Sequence, residues 1–132
     1  MKNFSLFFLA MIILLLMSNC EKLVDHVYSI KIVNDTDDYV CLYSSYKYPD
    51  TLLDSQKPNM FYTIMPNSFI YLDSKDKWEE VLPKDVIIIY ILDKDTVDTY
   101  SWEKIRDEYK ILKRFDLSIE DLENSNWIIT YP

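Results

Sequence analysis

The chain has 132 residues, no glycine, and 22 acidic against 14 basic side chains, for a formal net charge of −8. Average usage would supply about nine glycines, so motifs built on a backbone position without a Cβ are excluded: the P-loop, the Rossmann fingerprint, the G-x-S-x-G elbow and the standard EF-hand loop. The acidic balance excludes nucleic acid and anionic lipid headgroups as partners, because both are polyanions.

The N-terminus is expected to be a targeting segment, not part of the fold. Met1-Lys2-Asn3 is a short positive region, and Phe4 to Met17 is apolar apart from Ser5. Fourteen residues fall short of the roughly 20 that a membrane-spanning helix needs, which favours a cleaved signal over an anchor. Leu16-Met17-Ser18-Asn19-Cys20 resembles the lipobox of bacterial lipoproteins, with Asn19 departing from the usual small residue before the cysteine. The resemblance implies that residues 1–19 are removed and that Cys20 is diacylated and becomes the mature N-terminus. Two acyl chains suffice for stable anchoring. An ordinary signal peptide with a free Cys20, or an uncleaved anchor, are the alternatives. Cleavage leaves 113 residues, one domain by size, and moves the net charge to −9 through the loss of Lys2.

Acylation of Cys20 would leave Cys41 without a disulfide partner. His26, the single histidine, cannot complete a zinc site with it, since three or four ligands are needed. A Cys41/His26 nucleophile pair is conceivable, but a buried strand cysteine is the simpler expectation. No cofactor is expected.

Residues 20–26 read as a tether and 27–132 as a single β-rich domain. Tyr28, Ile30 and Ile32 alternate with Ser29 and Lys31, predicting a half-buried strand. Asn34 to Asp38 is a polar turn, and Tyr39 to Tyr46 a second strand. Tyr48 to Asn59 is a long connection. Met60–Met65 and Phe69–Leu72 flank Pro66-Asn67-Ser68, predicting a hairpin with Asn in place of glycine. Asp76 to Leu82 is a short helix before Pro83. Val86 to Leu92 is apolar throughout, predicting a central strand covered on both faces. Ser101 caps a helix from Trp102 to Glu108, with Trp102, Ile105 and Tyr109 on one apolar stripe. Tyr109 to Leu117 is a strand carrying Ile111, Phe115 and Leu117 on one side. Ser118-Ile119-Glu120-Asp121 starts a turn of helix in capping-box fashion, and Trp127 to Tyr131 is the last strand. Six or seven short strands with one or two brief helices give a mainly β fold. An antiparallel sandwich, immunoglobulin-like in one version, is expected, with a small α+β sheet as the alternative.

Three constellations carry possible chemistry. The first is Asp93-Lys94-Asp95-Thr96-Val97 after an apolar strand, which resembles the nucleophile motif of haloacid dehalogenase-type phosphatases. There the first Asp attacks phosphorus, the second serves as acid and base, and magnesium bridges them. That fold is a parallel sheet with crossover helices, and the 37 residues after Asp95 cannot supply further βαβ units of about 30 residues each. A strand exit whose Asp side chains cap backbone amides is the favoured alternative. The second is a calcium site from Asp93, Asp95 and Asp98, or from Asp35, Asp37 and Asp38, although neither run follows the EF-hand order. The third is aromatic: Tyr39, Tyr43, Tyr46, Tyr48, Tyr62 and Tyr71 could form a platform for glycan or peptide. Tyr46, Tyr48 and Asp50, in the loop from Ser44 to Asp50, are the candidate ligand residues. Against it, tyrosine is simply a good strand former that buries its ring.

The tail from Asp95 to Pro132, above all Tyr100-Ser101-Trp102-Glu103 and Asn126-Trp127 to Pro132, together with Tyr46-Lys47-Tyr48-Pro49-Asp50-Thr51, resembles a group of small lipoproteins of Bacteroides-type gut bacteria. That group has no assigned activity, so the resemblance implies a source and a compartment only: the cell envelope, anchored to the outer rather than the inner membrane. The leading expectation is a non-enzymatic accessory or binding module held to the bilayer through acylated Cys20, with a protein or glycan partner. An enzyme using Asp93 and Asp95, and a structural subunit docking through a tyrosine face, are the other two.

Overall fold

The computed structural model describes residues 26–50, 52–58 and 62–132. The expected signal peptide, Cys20 and most of the tether lie outside the described residues. Seven strands form two sheets: β1 (Tyr28–Asn34), β4 (Ser68–Ser74) and β7 (Ile128–Tyr131) in one, and β2 (Val40–Ser45), β3 (Tyr62–Ile64), β5 (Val86–Asp93) and β6 (Lys113–Ser118) in the other. The strand orders are β4-β1-β7 and β3-β2-β5-β6. All pairs are antiparallel except β1 with β7, which is parallel, Lys31 facing Ile128 and Asn34 facing Tyr131. The immunoglobulin arrangement keeps its first two strands side by side. Here β1 and β2 lie in opposite sheets, so this sandwich is reached by another strand order.

The alternation read in β1 is real, and it turns Ile30 and Ile32 inward. They meet Leu72 and Ile129 of their own sheet and Val40, Leu42, Ile64, Ile87, Ile89 and Ile91 of the other, which together form the main core. Each such side chain contributes roughly 1.5–3 kcal/mol by leaving water. The continuous apolar run of β5 has a second use. Its alternate residues Ile88, Tyr90 and Leu92 point out of the sandwich, where Cys41, Leu53, Trp102 and Ile105 cover them in a smaller cluster. The strand is thus buried on both faces, as its lack of alternation predicts.

Four short helices fill the connections among the described residues: α1 (Trp78–Val81), α2 (Lys94–Thr99), α3 (Trp102–Asp107) and α4 (Ile119–Asn124). Ser101 caps α3 by accepting the Lys104 N–H. Ser118 and Asp121 form the full capping box of α4, as the sequence predicts. The segment after Asp93 is a helix and not a plain turn. Asp93 caps it, a Lys94–Asp98 pair at i,i+4 supports it, and Val97 packs on the smaller cluster.

Three expectations fail, each for a physical reason. The Pro66-Asn67-Ser68 turn exists, with Asn67 left-handed at φ 50°, but it makes no hairpin. β3 pairs with β2 and β4 pairs with β1, so the turn carries the chain from one sheet to the other. Tyr109 does not extend the apolar stripe of α3, since it stands left-handed at φ 49° beyond the helix end and is exposed. Ile111 does not share a face with Phe115 and Leu117. It precedes β6 and packs on the smaller cluster, whereas they pack on the main core.

Candidate functional site

The acidic exit comes first. Asp93, half-buried, ends β5 and accepts the Thr96 N–H at 2.8 Å. Asp98 is paired with Lys94, and Asp95 is exposed in the first turn of α2. Two of the three carboxylates therefore have protein partners. β5 runs antiparallel to both neighbours, β2 and β6, whereas the phosphatase motif sits on a parallel sheet with crossover helices. In the other acidic turn Asp37 accepts from the Asn67 side chain at 3.1 Å. Among the described residues no group of three His, Cys, Asp or Glu side chains is placed to hold a metal ion. The capping geometry makes a contrast testable. Asp93→Ala is expected to cost about 1 kcal/mol, the usual loss of an N-cap, whereas Asp95→Ala stays within about 0.5 kcal/mol. Urea melts with and without 10 mM calcium check this, and a calcium-dependent loss at both positions would show a cation site instead.

The second region is the connection after β2, laid over the outer face of the four-stranded sheet. Asp54 is its hub. One carboxylate oxygen accepts the Tyr43 hydroxyl at 2.8 Å, the other pairs with Lys47, and the Asp54 carbonyl accepts the Trp102 indole N–H at 2.7 Å. Lys47 first, then Tyr43, hold the Asp54 carboxyl below its ordinary range. Burial, then the bond to Asp54, push the Tyr43 phenol far up. Asp50 turns inward on its own loop, accepting the Leu52 N–H at 3.0 Å. It shares the wall of a shallow 660 Å³ hollow with Leu52, Ser55 and Arg106. Of the three residues singled out in this loop, only Asp50 reaches that hollow. The Tyr48 ring packs on the smaller cluster, and Tyr46, 40% exposed, has its phenol raised by burial and by Tyr62.

The tyrosines do not share one platform. Tyr71 stands on β4 beside Phe69, with ring centroids 5.5 Å apart, and Tyr62 lies on β3 in the opposite sheet. Tyr43 is inside the smaller cluster, stacked on Tyr90 at 5.6 Å and edge-on to Trp102 at 5.8 Å. The Cys41/His26 pair is not assembled by the sheets either. Cys41 is buried on β2 with its thiol pushed up by burial and its sulfur 3.8 Å from the Thr63 hydroxyl, while His26 is exposed before β1 of the other sheet.

A third region was not visible in the sequence. Val27, Tyr28 and Ser29 at the start of β1, Lys77, Trp78 and Glu79 at the start of α1, and Trp127 before β7 line a cleft of 420 Å³. Its three aromatic residues stand about 50 positions apart in the chain, so no local pattern joins them. Trp78 is almost wholly buried and its indole N–H meets no acceptor. Asn126 and Trp127 are both left-handed, at φ 53° and 60°. For residues with a Cβ this costs roughly 1–2 kcal/mol each. The backbone holds them there: Trp127 N–H donates to Leu122 C=O at 2.7 Å, and Trp127 C=O accepts from Lys31 N–H at 2.8 Å. Asn126 is a familiar left-handed residue after a helix; Trp127 is not.

Comparison with family models, curated proteins and solved structures finds no match. Function is therefore read from the chain's own surfaces. The Asp54 hub is internally satisfied, its carboxylate shared between Tyr43 and Lys47, and it works as a clasp for the connection. The acidic exit works as a helix cap. The aromatic cleft differs from both: it combines ring faces, a rim charge of each sign and a strained backbone that places one of the rings.

Proposed function

We propose that this chain is a lipid-anchored binding module of the bacterial cell envelope, held to a membrane through acylated Cys20 and acting without catalysis. The supporting observation is where the cleft lies. It opens at Val27 and Tyr28, seven residues after Cys20, so at most about 25 Å of extended chain separates anchor from cleft. A ligand captured there is held close to the bilayer. The lipobox, and the resemblance to envelope lipoproteins of Bacteroides-type bacteria, favour the same compartment. No helix among the described residues is long and apolar enough to cross a membrane, so the acyl chains would carry the attachment. The net charge of −8 keeps the folded body off anionic headgroups.

The test is Cys20→Ala in a bacterial host supplied with an alkynyl palmitate analogue. The wild type is expected in the membrane fraction, labelled and released by detergent. The variant is expected to be unlabelled and either soluble or retained with its signal uncleaved. Unlabelled wild type in the soluble fraction would overturn anchorage.

A further inference from the structure

We propose that the cleft between Tyr28, Trp78 and Trp127 is a binding site for a neutral saccharide. The inference rests on the reading of the chain as a binding module and names its ligand class.

The cleft's size comes first. At 420 Å³ it falls in the range of small-ligand sites, and its aromatic residues come from three separate elements that converge only on folding. Its charge comes next. Lys77 and Glu79, both exposed, contribute one ammonium and one carboxylate, so the lining is neutral within a chain of net charge −8. An anionic ligand would meet the field of the whole protein without a compensating basic cluster. A wholly apolar occupant would strip water from Lys77 and Glu79 and return no hydrogen bonds. A neutral sugar avoids both penalties. The C–H face of a pyranose lies on an aromatic ring, while its hydroxyls at the edge meet donors and acceptors such as Lys77 and Glu79.

Two further features point to a ligand and not to packing. Trp78 supplies a buried indole N–H with no acceptor, an unmet donor in the wall of a cleft. Trp127 is held left-handed in a chain that contains no glycine at all. Strained backbone of this kind persists where surrounding structure over-determines it and clusters at ligand sites. The strain here sets the position of a ring at the cleft wall. The nearby Ser29 hydroxyl is already committed to Asp73, so polar recognition falls to the Lys77–Glu79 side.

The experiment uses the full lipidated chain in detergent, titrated with cellotetraose, maltotetraose, xylotetraose and mannotetraose up to 10 mM. Tryptophan fluorescence and calorimetry are the readouts. At least one sugar is expected to bind, and Trp127→Gly is expected to weaken it about tenfold, the loss of one stacked ring. Glycine accepts φ 60° without strain, so this variant is expected to melt close to the wild type. Lys77→Ala, at an exposed position, is expected to weaken binding about threefold through one lost hydrogen bond. No response to any of the four sugars overturns the proposal, as does a Trp127→Gly chain that binds sugar like the wild type. Binding of N-acetyltryptophanamide in place of sugars also overturns it while leaving a binding module standing. Anchorage is read separately on the same membranes through Cys20→Ala, so the two failures are distinguishable.

Discussion

Asn34→Ala is expected to lower the unfolding free energy by about 3 kcal/mol, the cost of leaving several buried polar groups unpaired. Asn34 ends β1 at zero exposure, the one buried polar side chain among the described residues. Its amide nitrogen donates to the carbonyls of Asp38 at 2.7 Å and Met65 at 3.1 Å. Its amide oxygen accepts the Thr36 backbone N–H at 3.2 Å and the Thr36 hydroxyl at 2.7 Å. These partners belong to the two places where the chain changes sheets in the first half of the fold: β1 to β2, and β3 to β4. The two crossings are also tied directly, Asn67 N–H to Thr36 C=O at 3.0 Å. Alanine removes the shared hub and leaves carbonyls buried without donors. At roughly 4–8 °C per kcal/mol for a domain of this size, the melting temperature should fall by about 12–24 °C.

Asn34→Asp sharpens the test. It keeps the shape and the acceptor but sets a carboxylate against two carbonyl oxygens in a dry site. The folded-state pKa of that Asp must rise above its unfolded value of about 3.9. Stability is then greatest below the unfolded pKa and is lost as pH rises through the folded one. The Asp variant should therefore lie closer to the wild type at pH 4 than at pH 7 in thermal melts. An Asn34→Asp protein equally stable relative to wild type at both values would show that the hub is not what joins the crossings.

The same corner shows what a sequence can and cannot specify. Asn67 was legible as a turn residue because its side chain tolerates φ 50°. The identity of the strands' partners was not. Ile64 and Leu72 both face the main core, one from each sheet, and alternation looks the same whether two strands pair with each other or face each other across a core. The β5 strand was legible in full, since seven consecutive apolar residues admit little else than burial on both faces. The α4 cap was legible because Ser118 and Asp121 are both local to it. Positive φ was only half legible in a chain without glycine: Asn67, Asp85 and Asn126 are residue types expected there, and Tyr109 and Trp127 are not. The carboxylates of the acidic exit were placed correctly on the strand's end, and Asp93 does cap a backbone amide. The aromatic cleft was illegible, because Tyr28, Trp78 and Trp127 meet only through the parallel pairing of β1 with β7 and the docking of α1 on the core.

Trp102→Ala is expected to cost about 3–5 kcal/mol, the usual range for deleting a large buried aromatic, and to act on a different part of the molecule. Trp102 is 7% exposed and belongs to the smaller cluster with Leu53, Ile88, Tyr90, Leu92 and Ile105. It is also the bolt that fastens the long connection, through its N–H to Asp54 C=O, while Arg106 of the same helix donates to Ser55 C=O at 3.4 Å. Trp102→Phe separates the two roles. Phenylalanine retains most of the apolar contact but leaves Asp54 C=O without its donor, a loss of about 1 kcal/mol. If the bolt is local, the Phe variant should open the connection without unfolding the sandwich. Trypsin cleavage after Lys47 and Lys57 should then accelerate severalfold more than the change in global stability accounts for. Cleavage after Lys31, within β1 of the opposite sheet, should rise only in step with the urea midpoint. Uniform acceleration at all three sites would mean that the connection unfolds only with the whole domain. The smaller cluster would then belong to the sandwich's single cooperative unit, and its covering layer would not open on its own.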